Sequence, residues 1–287
     1  MLDKAILSHL RQSETLKQKL TCYADSLAIF NQSAPPDTDD FWTRGPQYPR
    51  IVFTLDTQDD AARAVGGKLL IDVQCQSGKD IPEDFEAIVR EWVDGCFFSD
   101  GGNTMAAQWQ ESKYFTEPTD SVCGVTLIFT LLAFPTLTIK DPDIIERINT
   151  WTATAFPDLF VLGKSALPDT WRPSKNQAAV YWRVSEVKPA GWIPDTHQTI
   201  WRTATLKGHV FAADISTATV LADEIIHRLD SARRLVRPGE TQIMVNRANS
   251  VDAGADALHT GQITVEATFG RIIPRPASEL LNNIHYT

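Results

Sequence analysis

The chain has 287 residues, 43% of them hydrophobic and 22% charged, with a formal net charge of −9. That length accommodates two ordinary domains, each with its own core, and the composition excludes wholesale disorder. No apolar run approaches the roughly 20 residues that span a bilayer, and the start, Met1-Leu2-Asp3-Lys4-Ala5, lacks the basic flank and apolar centre of a signal peptide.

Leu2, Ile6, Leu10, Leu16 and Leu20 recur at helical spacing and predict an amphipathic helix over about residues 2–24. A loop over 33–47 follows, with Pro35-Pro36, Phe41-Trp42 and Gly45-Pro46. The run from Arg50 to Leu55 and the run from Lys68 to Cys75 alternate with period two and predict strands. Asp80, Pro82 and Glu83 have the spacing of a capping box, and Phe85, Ile88, Val89, Trp92 and Val93 form one apolar stripe ending at Gly95. Strands at about 106–115 and 122–134 close this part.

The second half restarts at Asp141-Pro142-Asp143, a helix-start signal, with Ile144, Ile148, Trp151 and Ala155 on one stripe. A loop over 164–176 holds Pro168-Asp169-Thr170-Trp171-Arg172-Pro173, which parallels Pro36-Asp37-Thr38. Strands are predicted at about 178–187 and 199–211, a helix from Ser216 carrying Leu221, Ile225 and Leu229, and strands at about 241–248 and 262–270. The element order of 1–135 thus recurs in 141–276. The run from Gly124 to Leu131 matches that from Gly261 to Thr268, and each reaches a proline, Pro135 and Pro274. A repeat of this length is the size of a domain. The expected fold class is therefore α+β: two tandem copies of a small domain, 1–135 and 141–276, with helices packed on one face of a mostly antiparallel sheet. A tail follows at 277–287.

Charge is uneven. Residues 1–140 hold 12 basic and 20 acidic residues, a net −8, and the remainder holds 15 and 16, a net −1. No basic stripe for duplex nucleic acid is present. Cys22, Cys75, Cys96 and Cys123 lack metal-ligand spacing and read as reduced thiols of a cytosolic protein. The sequence contains no nucleophile elbow, phosphate loop or dinucleotide fingerprint. The histidines form no i,i+4 pair, and Glu224 with His227 reads as a surface helical pair. Asp72 and Glu91 have no sequence warrant as a catalytic pair. No catalytic residue, metal or cofactor is expected. The tryptophans near arginine, Trp182-Arg183 and Trp201-Arg202, read as core or interface.

The phrase Gln47-Tyr48-Pro49-Arg50-Ile51-Val52-Phe53, the Asp72-Val73 strand, the helix after Ile81-Pro82-Glu83 and the final hairpin with Phe115-Thr116-Glu117-Pro118 come in a characteristic order. In these features residues 1–135 resemble the tail terminators of tailed phages, also called tail-completion or head–tail joining proteins. In the second copy, Gln177-Ala178-Ala179-Val180-Tyr181-Trp182 replaces the Tyr-Pro phrase.

The resemblance implies a structural virion or prophage protein, not an enzyme. It would be assembled in the bacterial host cytoplasm as a homo-oligomeric, hexameric ring that caps the tail tube and meets a neck or connector protein. DNA would only pass through the lumen, and no membrane is involved. Trp42, Trp171 and Arg172 are the expected contact residues. Asp37, Asp39, Asp40, Asp56, Asp59 and Asp60 are the expected lumen-facing acids, where an anionic wall would let DNA slide. The unequal charge of the copies favours six chains with the first copy in the ring over three chains with alternating copies. Two other readings stay open: a baseplate or tube-initiator part of a contractile injection system, and an enzyme with a site assembled between the copies.

Overall fold

The computed structural model describes residues 2–42, 47–58, 66–101, 104–117, 121–135, 142–236, 241–246 and 249–273. It is a mixed α/β structure with curled sheets, and its contacts divide into two units. The first is 1–136 with 165–176, the second 137–164 with 177–287. Residues 165–176, which the sequence places in the second copy, thus pack within the first unit.

Along the first unit the elements are α1 (Leu2–Gln12), α2 (Glu14–Lys19), β1 (Cys22–Tyr23), β2 (Ser26–Leu27), β3 (Ile29–Asn31), β4 (Arg50–Thr57), β5 (Gly67–Gln76), α3 (Pro82–Val93), β6 (Phe97–Ser99), β7 (Thr104–Glu117) and β8 (Val122–Ala133). After these come α4 (Ile144–Ala155), β9 (Phe160–Val161), β10 (Thr170–Trp171), β11 (Ala179–Pro189), β12 (Thr199–Phe211), α5 (Ile215–Ala232), β13 (Arg234–Leu235), β14 (Ile243–Val245), β15 (Ser250–Val251) and β16 (Ile263–Ile272).

Local chemistry corrects the length of one expected helix and the starts of two others. The helix expected over 2–24 stops at Gln12, because the Ser13 hydroxyl accepts the Leu16 N–H and caps a new helix. Asp80 does not cap α3. Ile81 occupies the cap position with Pro82 behind it, while Asp80 accepts from the Gln76 N–H. In the second unit Asp143 is the cap, accepting from the Glu146 N–H, so Pro142 lies outside the helix.

Strand β5 displays the period-two logic of the fold. Leu69, Ile71, Val73 and Cys75 are wholly buried on one face, while Lys68 is exposed and Leu70, Asp72 and Gln74 are half-buried on the other. The buried face shares a core with Leu2, Ile6 and Leu10 of α1, Phe85, Val89 and Val93 of α3, and Val125, Leu127 and Phe129 of β8. Fully burying each such large side chain stabilises by about 1.5–3 kcal/mol. The second core joins Ile225 and Leu229 of α5 to Leu206, Val265 and Phe269, with Leu221 half-buried against them.

Strand order in the first sheet is β10-β6-β7-β8-β5-β4-β3, and in the second β13-β14-β16-β12-β11-β9, with β15 also on β16. Each sheet has its parallel pair at one edge, β3 with β4 and β9 with β11. The other neighbours are antiparallel. Apart from β10 and β15, the two sheets follow one path: short strand, long loop, hairpin, helix, then a return that ends beside the second hairpin strand.

The ladders also correct the expected strand match. Leu69 lies opposite Phe129 and Ile71 opposite Leu127, while Leu206 lies opposite Val265 and Gly208 opposite Ile263. By ladder position Leu127 therefore corresponds to Ile263, not to the Thr264 that the Gly124/Gly261 alignment assigns. A one-residue slip turns every side chain to the other face. The two glycines differ accordingly: Gly124 lies within β8, and Gly261 sits at φ +77° in the turn before β16.

Candidate functional site

The loop between β3 and β4 folds back on its own unit. Asp37 accepts from Arg50 Nη1 at 2.6 Å and from the Tyr48 hydroxyl at 2.9 Å. The Arg50 guanidinium lies over the Tyr48 ring at 4.6 Å and the Trp42 ring at 5.7 Å, and its Nε donates to Gln74 Oε1. Trp42 is half-buried, packs edge-on to Tyr23 and Phe30, and donates its indole N–H to the Pro36 carbonyl. Asp39 accepts from the Tyr23 hydroxyl and the Phe41 N–H. The acids of this loop thus organise it, while Asp40 is exposed and Phe41 is 60% exposed. Residues 43–46 lie outside the described residues.

The corresponding loop between β9 and β11 takes a different course. Its β10 adds to the first unit's sheet, Thr170 opposite Phe98 and Trp171 opposite Phe97, and the Ser99 N–H donates to the Asp169 carbonyl at 2.9 Å. Trp171 is 5% exposed and meets Phe97 edge-on at 5.0 Å. The expectation of an exposed aromatic at this position fails, because Phe97 is an aromatic cross-strand partner for it. Arg172 is exposed, and its Nη2 donates to the Glu91 and Asp94 carbonyls. A cation there offsets the negative end of the α3 dipole.

Beside this strand is a cavity of about 420 Å³, lined by His9, Trp92, Cys96, Thr170, Trp171 and Arg172 among others. Cys96 Sγ lies 3.5 Å from His9 Nε2, a spacing that invites comparison with a nucleophile–base pair. The hydrogen bonds oppose that chemistry. His9 Nε2 is 2.8 Å from the Trp92 carbonyl, which can only accept, so Nε2 carries the proton and has no lone pair for the thiol. The thiol donates to the same carbonyl at 3.2 Å. Burial pushes the Cys96 thiol up to about 11, with Arg172 opposing and Asp94 adding to the shift. Burial lowers the His9 imidazole, the bond to Trp92 opposes this, and Arg172 lowers it further. Both groups are held neutral. Trp92 Nε1 donates in return to the His9 carbonyl at 2.9 Å, and the rings stack at 4.9 Å. The cluster is a clasp between α1 and the end of α3.

The acidic residues do not form one cluster. Asp37, Asp39 and Asp40 lie near the Arg50 end of β4, whereas exposed Asp56 lies six residues further along the same strand. At roughly 3.3 Å per residue the separation is about 20 Å. Asp59 and Asp60 are outside the described residues. Of the tryptophan–arginine pairs, Trp182 is core, 1% exposed, and donates to Thr152 Oγ1. Arg183 Nε donates to Nε2 of buried His209, whose Nδ1 meets the Ala257 carbonyl. Trp192 is 64% exposed and Trp201 half-buried. The sequence reading missed the clasp. His9 lies 83 positions before Trp92 and 87 before Cys96, and no spacing could mark the three together.

No protein family, no curated protein and no solved structure matches this chain. Among the described residues no group of His, Cys, Asp and Glu could hold a metal ion, and no helix is long and apolar enough to cross a membrane.

Proposed function

We propose that this chain is a structural virion protein, a tail terminator whose subunits form a ring on the head-proximal end of a tail tube and join it to the neck. In this reading each unit is a copy of one small α+β domain, with its helices on one face of a mostly antiparallel sheet, and the chain is not an enzyme. The observation that carries it is the common strand path of the two sheets, together with the loop between β9 and β11, which completes a sheet edge. Adding a strand to an open edge is assembly chemistry: main-chain bonds supply affinity and side chains supply selectivity. The Tyr48-Pro49 to Phe53 phrase supports the family. The neutral Cys96–His9 pair counts against the enzyme alternative, since the thiol and imidazole most suggestive of catalysis are unactivated.

The test is tube growth. Purified chain is added to the polymerising tail tube protein of the same phage, and tube lengths are read on negative-stain images. The expected result is arrest of elongation, with a ring at one end of each tube. Tubes of unchanged length overturn the terminator reading. Rings at the opposite, baseplate-proximal end would move the chain to the tube-initiator class.

A further inference from the structure

The two sheets end differently at the strand that follows the long helix. In the first unit that strand, β6, is covered by β10. In the second the corresponding strand, β13, ends the sheet among the described residues. The correspondence is set by the ladders. Phe97 pairs with Ala106 and Phe98 with Met105, and Arg234 pairs with Met244 and Leu235 with Ile243. The Ala107 N–H bonds the Cys96 carbonyl, and the Val245 N–H bonds the Arg233 carbonyl. So Cys96, Phe97, Phe98 and Ser99 match Arg233, Arg234, Leu235 and Val236. Phe98 and Leu235 are both buried. Because Arg233 bonds inward to β14, the backbone N–H and C=O of the next residue, Arg234, point outward from the edge. Arg233 and Arg234 are exposed, and Val236 is 64% exposed. An exposed edge strand is a template for another strand.

The strand that covers β6 comes from the loop between β9 and β11. The matching loop of the first unit runs between β3 and β4 and carries the matching residues, Pro36-Asp37-Thr38-Asp39-Asp40 against Pro168-Asp169-Thr170-Trp171-Arg172. Transposing the β10–β6 register places Asp39 opposite Arg234 and Asp40 opposite Arg233. The aromatic pair Trp171–Phe97 becomes an ion pair. Arg172, which faces the end of α3 and its Asp94 carbonyl, becomes Asp40 opposite Arg233, the residue that caps the C-terminus of α5. Both sides of the contact change together, and each combination is complementary. Opposite charges directly across a strand pair are favourable and like charges are not.

We infer that residues 37–40 of one chain dock as an added strand on the β13 edge of a second copy of this chain. Among the described residues no strand pairs with the outer side of β13, and the docked strand is assigned to another molecule. In the single chain the loop is turned, with the Asp39 N–H on the Pro36 carbonyl and the Trp42 N–H on the Asp39 carbonyl. Docking exchanges these turn bonds for ladder bonds, and the bonds of the Asp39 carboxylate to the Tyr23 hydroxyl and Phe41 N–H for the pair with Arg234. Each chain then offers one donor loop and one acceptor edge, so contacts run head to tail, from the first unit of one copy to the second unit of the next, the type of interface from which rings are built. The unequal charge of the two halves, which argued against alternation, is on this account what makes the second contact specific. The inference deepens the ring reading and is separable from it.

The experiment is a charge swap on the full chain, read by sedimentation velocity over a concentration series at low salt. The variants are Arg233→Glu, Asp40→Arg and the two combined. The expected result is concentration-dependent association of the wild type, at least about tenfold weaker association for each single variant, and recovery in the double variant. Thermal unfolding midpoints unchanged from the wild type identify the loss as one of docking. Single variants that associate as well as the wild type, a double variant no better than the singles, or a wild type that stays monomeric throughout overturn the inference. If Arg233→Glu still makes rings that arrest tubes, this contact falls and the terminator reading stands. If the swap behaves as expected but wild-type rings leave tube length unchanged, the contact stands and the terminator reading falls.

Discussion

The centres of the two sheets fill their space with different pairs of residues. In the first unit Phe53 lies opposite Ile71; at the matching ladder position in the second, Trp182 lies opposite Gly208. Phe53, Ile71 and Trp182 are all buried. A Cβ on Gly208 would lie 2.7 Å from the Trp182 ring, so the larger indole occupies the space that an isoleucine side chain fills in the first unit. A core is specified as a packed volume rather than as a residue-by-residue pattern. Two sheets with one strand path can therefore lose visible sequence likeness where their packing is most constrained.

The largest test of that comparison is Trp182→Ala, expected to cost about 3–5 kcal/mol in a denaturant titration, since it empties a core site and leaves Thr152 Oγ1 without its indole donor. Trp92→Ala is the control. Trp92 is half-buried beside the cavity, so its cost should fall below that range; equal losses would mean that burial does not decide between them. Gly208→Ile alone should destabilise by roughly 1–3 kcal/mol through overpacking. Combined with Trp182→Phe it rebuilds the pair of the first unit, and most of that loss should be recovered. Strictly additive losses would break the correspondence.

The His9 clasp gives the first unit a pH signature. Its imidazole is lowered by burial, so as pH falls below about 6.5 the unfolded chain binds the proton before the folded one does. The clasp's stabilisation is complete above that pH and declines as pH drops toward the folded value. Wild type should therefore lose more stability between pH 7.5 and pH 5.5 than His9→Phe does, and equal losses would count against a neutral clasp. The smallest effect is kinetic. Burial holds the Cys75 thiol up to about 12 and Cys96 up to about 11, whereas Cys22 and Cys123 are only half-buried. A thiol reagent on native protein should label Cys22 and Cys123 first, and early labelling of Cys96 would mean that the cavity admits the reagent to a reactive sulfur.

Legibility followed the range of the interactions. The long strands β5, β11 and β12 and the stripes of α3 and α5 were readable because alternation and helical period are local. Strands of two or three residues, such as β9, β10 and β13, carry no period and exist only through their neighbours. The Gly124/Gly261 alignment was misleading by one residue, because glycine marks a turn in one place and a close approach in the other. Trp171 looked like a surface anchor since it sits in a Pro/Asp loop, and its partner Phe97 lies 74 positions away in the chain.

By itself the sequence determined the order of the longer helices and strands, the buried faces of β5, α3 and α5, and the acidic bias of the first half, because these rest on local periodicity and composition. Only the tertiary structure decided that residues 165–176 leave their own half to complete the first sheet. It alone decided that Asp37 and Asp39 hold a loop together. It also decided that His9 and Cys96 meet over one carbonyl, both neutral. Each of these depends on which residues a ladder or a core brings together across long stretches of chain, and backbone pairing carries no local signature from which a partner can be read.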